Sequence, residues 1–345
     1  MKVLEELGHG KSLEDFPEID SRNEDWKYTR IPKDLNSFNT SKGSKNTSSS
    51  EAVDVLVHDE GIEIINENKS FHIEDVTEVA NPIIDDYSNR PIDRFVFQQK
   101  ENITSGIIIK AIESSETPLR VEIQSSGLNV PYIGLLADRN ISSSIDLIHS
   151  GALSGTSFPM IDSKISSDSH ISLYIKHDSP KESQLITSFY SQIGKDSSLD
   201  IKCATFGSSI SRIRFDIDLD GVGSSFNIDG VYFGDQEGLI DYRVFVNHNV
   251  KNTSSNMLLK GALVDESSSV FTGTIHIAEG AEKTVSHQIN RNLVLNDKAK
   301  AHSVPNLEIL CDDVICGHGS SVGPIDDELF HYCLLYTSPS PRDRG

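Results

Sequence analysis

No apolar run in this chain approaches the ~18 residues that cross a bilayer as a helix, so a membrane-spanning helix is not expected. Basic residues are scarce. Against 52 aspartates and glutamates stand 31 lysines and arginines, for a formal net charge of -21. Affinity for nucleic acid or for an anionic membrane rests on neutralising phosphates, so neither is an expected partner. Cysteine is rare as well: Cys203, Cys311, Cys316 and Cys333 are the four present. They are too few and too scattered for a disulfide framework in a chain of this length. Met1 to Asp20 is acidic and polar, with no basic stretch leading into an apolar one, so a reducing, cytoplasmic setting is expected. Asn-x-Ser/Thr triplets, such as those at Asn46 and Asn102, then read as by-products of an Asn- and Ser-rich composition. No glycine-rich phosphate loop of the Walker type occurs, so the chain is not expected to hydrolyse ATP itself.

Short runs with a period of two fill the chain from about residue 52. Among them are Ala52–Val57, Gly106–Ala111, Leu119–Ile123, Ile171–Ile175, Leu185–Tyr190, Ile213–Ile217, Val244–Val246, Leu258–Val264, Val270–Ile277, Leu293–Leu295 and Leu307–Leu310. They are rich in β-branched residues and bounded by Gly, Asn, Asp or Ser, so they read as strands. Helix candidates are few: a weak one around Val3 to Leu7, another at Asn81–Asn89, and short stretches such as Ser142–Leu147. The body is therefore mainly β. A sandwich needs fewer strands, and the blade repeat of about 40 residues that marks a propeller is absent. A solenoid fits better. Its core is narrow, which suits an apolar content of 37%, and Asn and Ser at its turns tolerate the geometry and can ladder between turns.

Three parts follow. Residues 1–50 form an N-terminal arm ending in a flexible linker over 33–50, whose Asn39-to-Ser50 stretch is rich in Ser, Asn, Lys and Thr. The arm carries the sole tryptophan, Trp26, read as an anchor to the core. Residues 51–332 are the β body. Beyond Tyr332 the text changes abruptly: residues 333–345 place two prolines in three residues and show no strand pattern. They read as a non-native tail, and Cys333 is set aside with them.

The chemistry concentrates in Pro305–Gly323, where Cys311, Cys316 and His318 fall within eight residues. Thiolate and imidazole suit iron, zinc and iron–sulfur chemistry. A closed tetrahedral site needs four ligands, and no second close-spaced pair exists. If this stretch holds metal, the other ligands come from elsewhere, another chain included. Gly317 and Gly319 flank His318, so its ring is expected to be uncrowded by sequence neighbours, with no carboxylate beside it. Cys316 and His318 share a strand face. For Cys316 the plainer alternative is a small buried hydrophobe, and Cys311, odd-spaced from both, is expected to face the other way. Asp312 and Asp313 read as a solvated turn. Gln288, Asn290 and Asn292 read as a structural ladder, and His248 and His287 as structural.

Several blocks resemble the SufB/SufD family of iron–sulfur cluster assembly proteins. They are Glu24-Asp25-Trp26-Lys27-Tyr28-Thr29, Lys260-Gly261-Ala262-Leu263 with Val270–Ile275, the run from Lys283 to Leu295, and Pro305–Gly323 followed by Asp326, Leu329 and Phe330. The resemblance implies a right-handed parallel β-helix flanked by helical segments. It also implies a non-enzymatic scaffold pairing with SufB and the ATPase SufC, in which iron or a nascent iron–sulfur cluster is held transiently at the SufB interface. On that resemblance His318, with Cys316 beside it, is a metal ligand shared with SufB. Two departures stand out: Gly317 replaces the family's serine, and the C-terminal helical region that binds SufC in the family is missing, which implies weakened recruitment of that ATPase. Two rival readings, a polysaccharide-acting β-helix enzyme using paired carboxylates and a surface adhesin, have only the acidic composition and the sequons behind them.

Overall fold

The computed structural model describes residues 53–58, 61–76, 93–125, 127–151 and 155–324, with short pieces between 12 and 40. The described chain is a right-handed parallel β-solenoid of about eight turns. Two long sheets form its walls, one of ten strands and one of eleven. In the middle of the stack each turn is a pair of ten-residue strands, for example His170–Ser179 with Gln184–Ile193, then Ser198–Gly207 with Ile210–Leu219. Each strand lies parallel on its counterpart one turn later. Ile171 thus stacks on Leu199 and then Phe226, and across the bore Phe189 stacks on Phe215 and then Val244. Alternate residues point inward, and these make one continuous apolar core. The solenoid expectation holds for this reason: period-two alternation on every strand buries one face only.

The strands are longer than their apolar runs, because their Ser, Asp and Gln ends also pair. Ser142–Leu147, a helix candidate from sequence, is strand: it opens Ser142–Gly151, with Ser143, Ile145 and Leu147 buried on alternate positions. The helix that does form, Arg94–Glu101, has Asp93 at its N-cap, whose side chain accepts from the Val96 amide. The candidates at 3–7 and 81–89, most of the linker and everything beyond Pro324, including the break at 333, lie outside the described residues.

Corners repeat their chemistry. Asn140, Asp168, Asp196 and Asn252 all take left-handed backbone angles with φ between 51 and 62, a conformation that short amide and carboxylate side chains tolerate. Serines ladder beside them. The Ile141 amide donates to Ser169 Oγ and the Ser169 amide to Ser197 Oγ, both at 3.0 Å and 28 residues apart. The advance per turn varies elsewhere, to 26, 29, 31 and 32 residues.

The two ends differ. At the N-terminal end antiparallel strands finish both sheets: Gly61–Ile64 on Val55–His58, and Phe71–Asp75 on Ser105–Ala111. At the C-terminal end the last strands, Lys300–Ile309 and Val314–Gly323, each pair on one side only among the described residues.

The arm and the helix cover the outer face of the second sheet. Trp26, Leu35, Phe95 and Ile186 form a cluster there, so Trp26 is the anchor expected of it, and Leu35 packs with it inside the stretch read as linker. Arg212, with no exposed surface, lies 4.9 Å over the Trp26 ring, and Arg243 lies 4.7 Å over it. Asp93 accepts hydrogen bonds from Arg212 and Arg214, and Arg214 is also forked onto Asp216 at 2.7 and 2.9 Å. Burial alone raises the Asp93 pKa, but the two guanidinium charges outweigh it and hold its carboxyl well below the usual range. Thr29 closes the latch by donating to Asp241 at 3.0 Å.

Two predictions follow from this packing. Trp26→Ala removes the ring on which two buried guanidiniums rest, and is expected to lower stability by about 3–5 kcal/mol in chemical denaturation. The second concerns three interior histidines. Burial pulls His149 down to about 4, His177 to about 3 and His248 to about 4. Their folded values lie below the unfolded value of about 6.5. Above that pH they contribute nothing. As pH falls below it the unfolded chain binds protons that the folded chain refuses, and stability drops by about 2 kcal/mol per histidine at pH 5. The urea midpoint should therefore fall between pH 6.5 and 5, less steeply in His177→Gln; equal slopes would contradict the assignment.

Candidate functional site

Strand register places the cysteine and the histidine. On Val314–Gly323, Cys316 pairs with Ser286, His318 with Gln288, Ser320 with Asn290 and Val322 with Asn292. All four partners are buried on the inner face of their strand. Cys316, His318, Ser320 and Val322 therefore form the inner face of the last described turn. That turn has nothing stacked beyond it among the described residues, so His318 is exposed and Cys316 half-buried despite facing inward. The sequence expectation that Cys316 and His318 share a face is met. The ring is uncrowded, as expected, though not through the two glycines. They sit on the opposite, outer face, where a Cβ at Gly317 would lie 3.4 Å from His287 Nδ1 and one at Gly319 would lie 4.0 Å from Ile289 Cγ1. The neighbours of the His318 ring on its own face are Cys316 and Ser320.

Across the bore, Ser303, Pro305, Leu307 and Ile309 are in register with the inward-facing Phe271, Gly273, Ile275 and Ile277. They form the opposite wall of the mouth. Its floor is polar: Ser286, Gln288, Asn290 and Asn292 are at most 3% exposed. Asn290 and Asn292 are the ladder that the sequence suggested. Asn292 donates to Asn290 Oδ1 at 2.7 Å, Asn290 donates to Tyr232 Oη at 3.2 Å, and the Tyr232 hydroxyl donates to Asn292 Oδ1 at 2.6 Å. Gln288 behaves otherwise. Its amide crosses the bore to donate to the Asn306 carbonyl at 3.1 Å, and its Oε1 is buried with no hydrogen-bond partner.

The remaining candidates separate cleanly. Cys311 lies outside the strand, in the corner between the last two strands, so the opposite-face expectation does not apply; it packs against the core. Asp312 and Asp313 are exposed in the same corner, as a solvated turn should be. Cys203 is buried, its thiol pushed up to about 12 by burial, with the Tyr242 hydroxyl donating to its sulfur at 3.5 Å. His248 is bonded through both ring nitrogens, to Thr253 Oγ1 at 2.7 Å and Ser255 Oγ at 3.0 Å. His287 is exposed on the outer face. Burial also raises the Cys316 thiol, against a backbone hydrogen bond from Ser286 that lowers it. Its use as a ligand therefore entails releasing the thiol proton to solvent as the metal takes its place on sulfur.

Among the described residues no three His, Cys, Asp or Glu side chains come close enough to hold a metal ion. The mouth offers one imidazole and one thiol, a partial ligand set. A separate open groove of about 1030 Å³ on the outer face of the first sheet is lined by Tyr174, Val231, Leu258 and three lysines. Cys203 borders it but is only 4% exposed, and no histidine lines it. Sequence reasoning missed Ser320, Val322 and Ser303 as walls of the mouth. The turn advance of 30 residues that sets Gln288 beneath His318 was hidden by the irregular repeat.

The model of the "SUF system FeS cluster assembly, SufBD core domain" matches residues 128–334. The iron–sulfur cluster assembly SufBD family protein of Mycobacterium tuberculosis is 33% identical over 167 residues, covering 46% of this chain and 42% of the relative. The iron–sulfur cluster assembly protein SufD of Escherichia coli K12 is 34% identical over 126 residues, covering 36% and 30%. SufD of Bacillus subtilis is 29% identical over 141 residues, covering 41% and 32%. The matched stretches thus span less than half the length of these relatives.

One expected outcome tests the mouth's construction. Gly273→Ala would bring a Cβ to 2.1 Å of Gln288 Oε1 and 2.6 Å of the Phe271 ring. It should destabilise the chain by about 1–3 kcal/mol in urea unfolding. Gly280→Ala has open space around it but a left-handed φ of 86, and serves as the control for backbone strain without crowding.

Proposed function

Since this chain belongs to the SufBD family of iron–sulfur cluster assembly proteins, we propose that it is a non-catalytic scaffold subunit that pairs with SufB and works with the ATPase SufC. In this reading it is cytoplasmic, and iron or a nascent iron–sulfur cluster is its cargo. One observation carries the proposal. His318 and Cys316 line the inner face of a terminal strand whose outer edge has no neighbour among the described residues.

A long free strand edge is a liability in a soluble protein and a template for pairing with another chain. Natural edges are blunted with charge or twist. The two terminal strands and the corner between them carry exposed apolar residues: Ile309, Leu310, Ile315 and Val322 are all more than 40% exposed. A partner strand added there would continue the sheet, desolvate these side chains and close the mouth. It would also deliver ligands next to His318. The family's cargo chemistry agrees with the donor set, since imidazole and thiolate both bind iron and iron–sulfur units. A chain offering only two such donors is suited to share a site rather than own one. The imidazole binds through one neutral nitrogen, and Cys316 binds as thiolate. The polysaccharide and adhesin readings have no comparable support.

His318→Ala is expected to fold and assemble with SufB and SufC as the parent does, while iron–sulfur content formed in the reconstituted complex falls about tenfold or more; undiminished content would sink the assignment. Edge pairing has its own check. Val322→Lys places an inward-pointing charge on the edge, a device that natural sheets use against pairing. It should leave the thermal midpoint of the isolated chain unchanged and weaken capture of SufB at least about tenfold. Equal capture would argue for a different interface.

A further inference from the structure

The two sheets differ in what covers them. The arm and the helix Arg94–Glu101 lie over the outer face of the second sheet. The outer face of the first sheet leaves Tyr174, Phe206, Val231, Phe233 and Leu293 in the open, each 37 to 49% exposed. An apolar patch that spans several strands marks a contact surface in a soluble chain. Part of it is a stripe. Phe233, Ala262, Leu293 and Gly323 are successive register partners on four neighbouring strands. Thr205 pairs with Tyr232, which sets Phe206 beside Phe233 at the far end. The open groove bordered by Tyr174, Val231 and Lys260 lies alongside.

Charge on this face is unbalanced in one place. Asp146 is held by Arg120 at 3.5 Å, Asp178 by Lys176 at 2.7 Å and Asp229 by Lys202 at 3.5 Å, while Asp200 accepts from the Asn227 amide at 2.7 Å. Lys260 and Arg291 are register partners next to the stripe, and neither has a carboxylate within ion-pair distance among the described residues. Two adjacent uncompensated cations beside an apolar stripe suit an occupant that is both acidic and apolar. The chain itself brings one to this place. The last strand ends at Gly323, the near end of the stripe, and Pro324 has no N–H with which to prolong the ladder. The sequence then runs Ile325-Asp326-Asp327-Glu328-Leu329-Phe330-His331-Tyr332, three carboxylates followed by apolar and aromatic residues. The reach is sufficient. Four strand spacings of about 4.8 Å put Phe206 about 19 Å from Gly323, and six to nine extended residues span about 20–30 Å.

We infer that the outer face of the first sheet is a docking surface for residues 325–332 of the same chain: Leu329, Phe330 and Tyr332 cover the stripe, and Asp326, Asp327 and Glu328 meet Arg291 and Lys260. The inference is independent of the ligand assignment of His318. Proteolysis of the intact chain tests it, because cleavage of a docked segment tracks the population of its undocked form. Chymotrypsin cuts after Phe330 and Tyr332, and mass spectrometry follows both cuts in the parent, Phe233→Ser, Arg291→Glu, and Arg291→Glu combined with Asp326→Lys and Asp327→Lys. Phe233 and Arg291 point outward from the sheet, so thermal midpoints close to the parent's are expected and confirm that each variant is folded. The initial rate of both cuts should rise about tenfold in Phe233→Ser and in Arg291→Glu, and return to within about threefold of the parent in the charge-exchanged protein. Equal rates in all four proteins would overturn the inference. A parent rate that falls as protein concentration rises would give the surface to the tail of a second copy. Slow cleavage found only once SufB is added would give it to a partner. In either case docking within the chain is refuted.

Discussion

Every strand in a parallel solenoid hands half of its backbone hydrogen bonds to the next turn, and whatever stands last must find another partner for them. The chain answers this differently at its two ends. Antiparallel strands at residues 61–64 and 71–75 finish the N-terminal side. The strands at 300–309 and 314–323 leave both sheets unpaired at the other side, within the described residues. Main-chain donors and acceptors are strong and obligatory, so under the proposed function this edge is where a partner strand would pair. The imidazole and the thiol sit at that place, and their partial ligand set is what a shared site would hold.

The interior prepares that end over several turns. One column reads Leu173, Ile201, Ile228, Met257, Gln288, His318, and its neighbour reads Ile171, Leu199, Phe226, Ser255, Ser286, Cys316. The core thus changes from aliphatic to hydrogen-bonding as it nears the mouth. The two inward cysteines mark the contrast. Cys203, deep in the stack, has its thiol held protonated by burial and serves as packing; Cys316 is half-buried and within reach of the opening.

Most of the architecture was readable in the sequence, and the failures have physical causes. Runs such as Ile171–Ile175 and Ile213–Ile217 mark strand centres because alternate residues fill the core. Strand ends were hidden because their residues are Ser, Asp and Gln, which pair through the backbone whatever their side chains prefer. Ser142–Leu147 looked helical for the same reason: serines mask the period of two that Ile145 and Leu147 keep. The helix at 94–101 was missed because Phe95, Val96 and Phe97 favour strands, while its formation depends on the cap from Asp93 and on Arg212 and Arg214 drawing that cap onto the sheet. At the mouth, Cys316 and His318 were legible from spacing and resemblance. The His318 ring is uncrowded as expected, but because it stands at the open end; that the flanking glycines occupy the other face shows only in the register. The odd status of Gln288 was invisible, since it depends on the absent side chain of Gly273, fifteen residues away and on the opposite wall.

The stacked corners carry a consequence for how such a chain can change in length. Asn140, Asp168 and Asp196 hold the same left-handed bend one above another, with the serine ladder locking each to the next. Between Asp168 and Asp196 each wall strand is ten residues long. A gain or loss of one residue inside a strand would turn core side chains outward for the rest of the strand, whereas the same change at a corner only alters the size of a loop. The molecule is thereby divided into interchangeable storeys. Its length can be altered by whole storeys or at the corners, and within this chain the advance per turn runs from 26 to 32 residues while the wall strands stay in register.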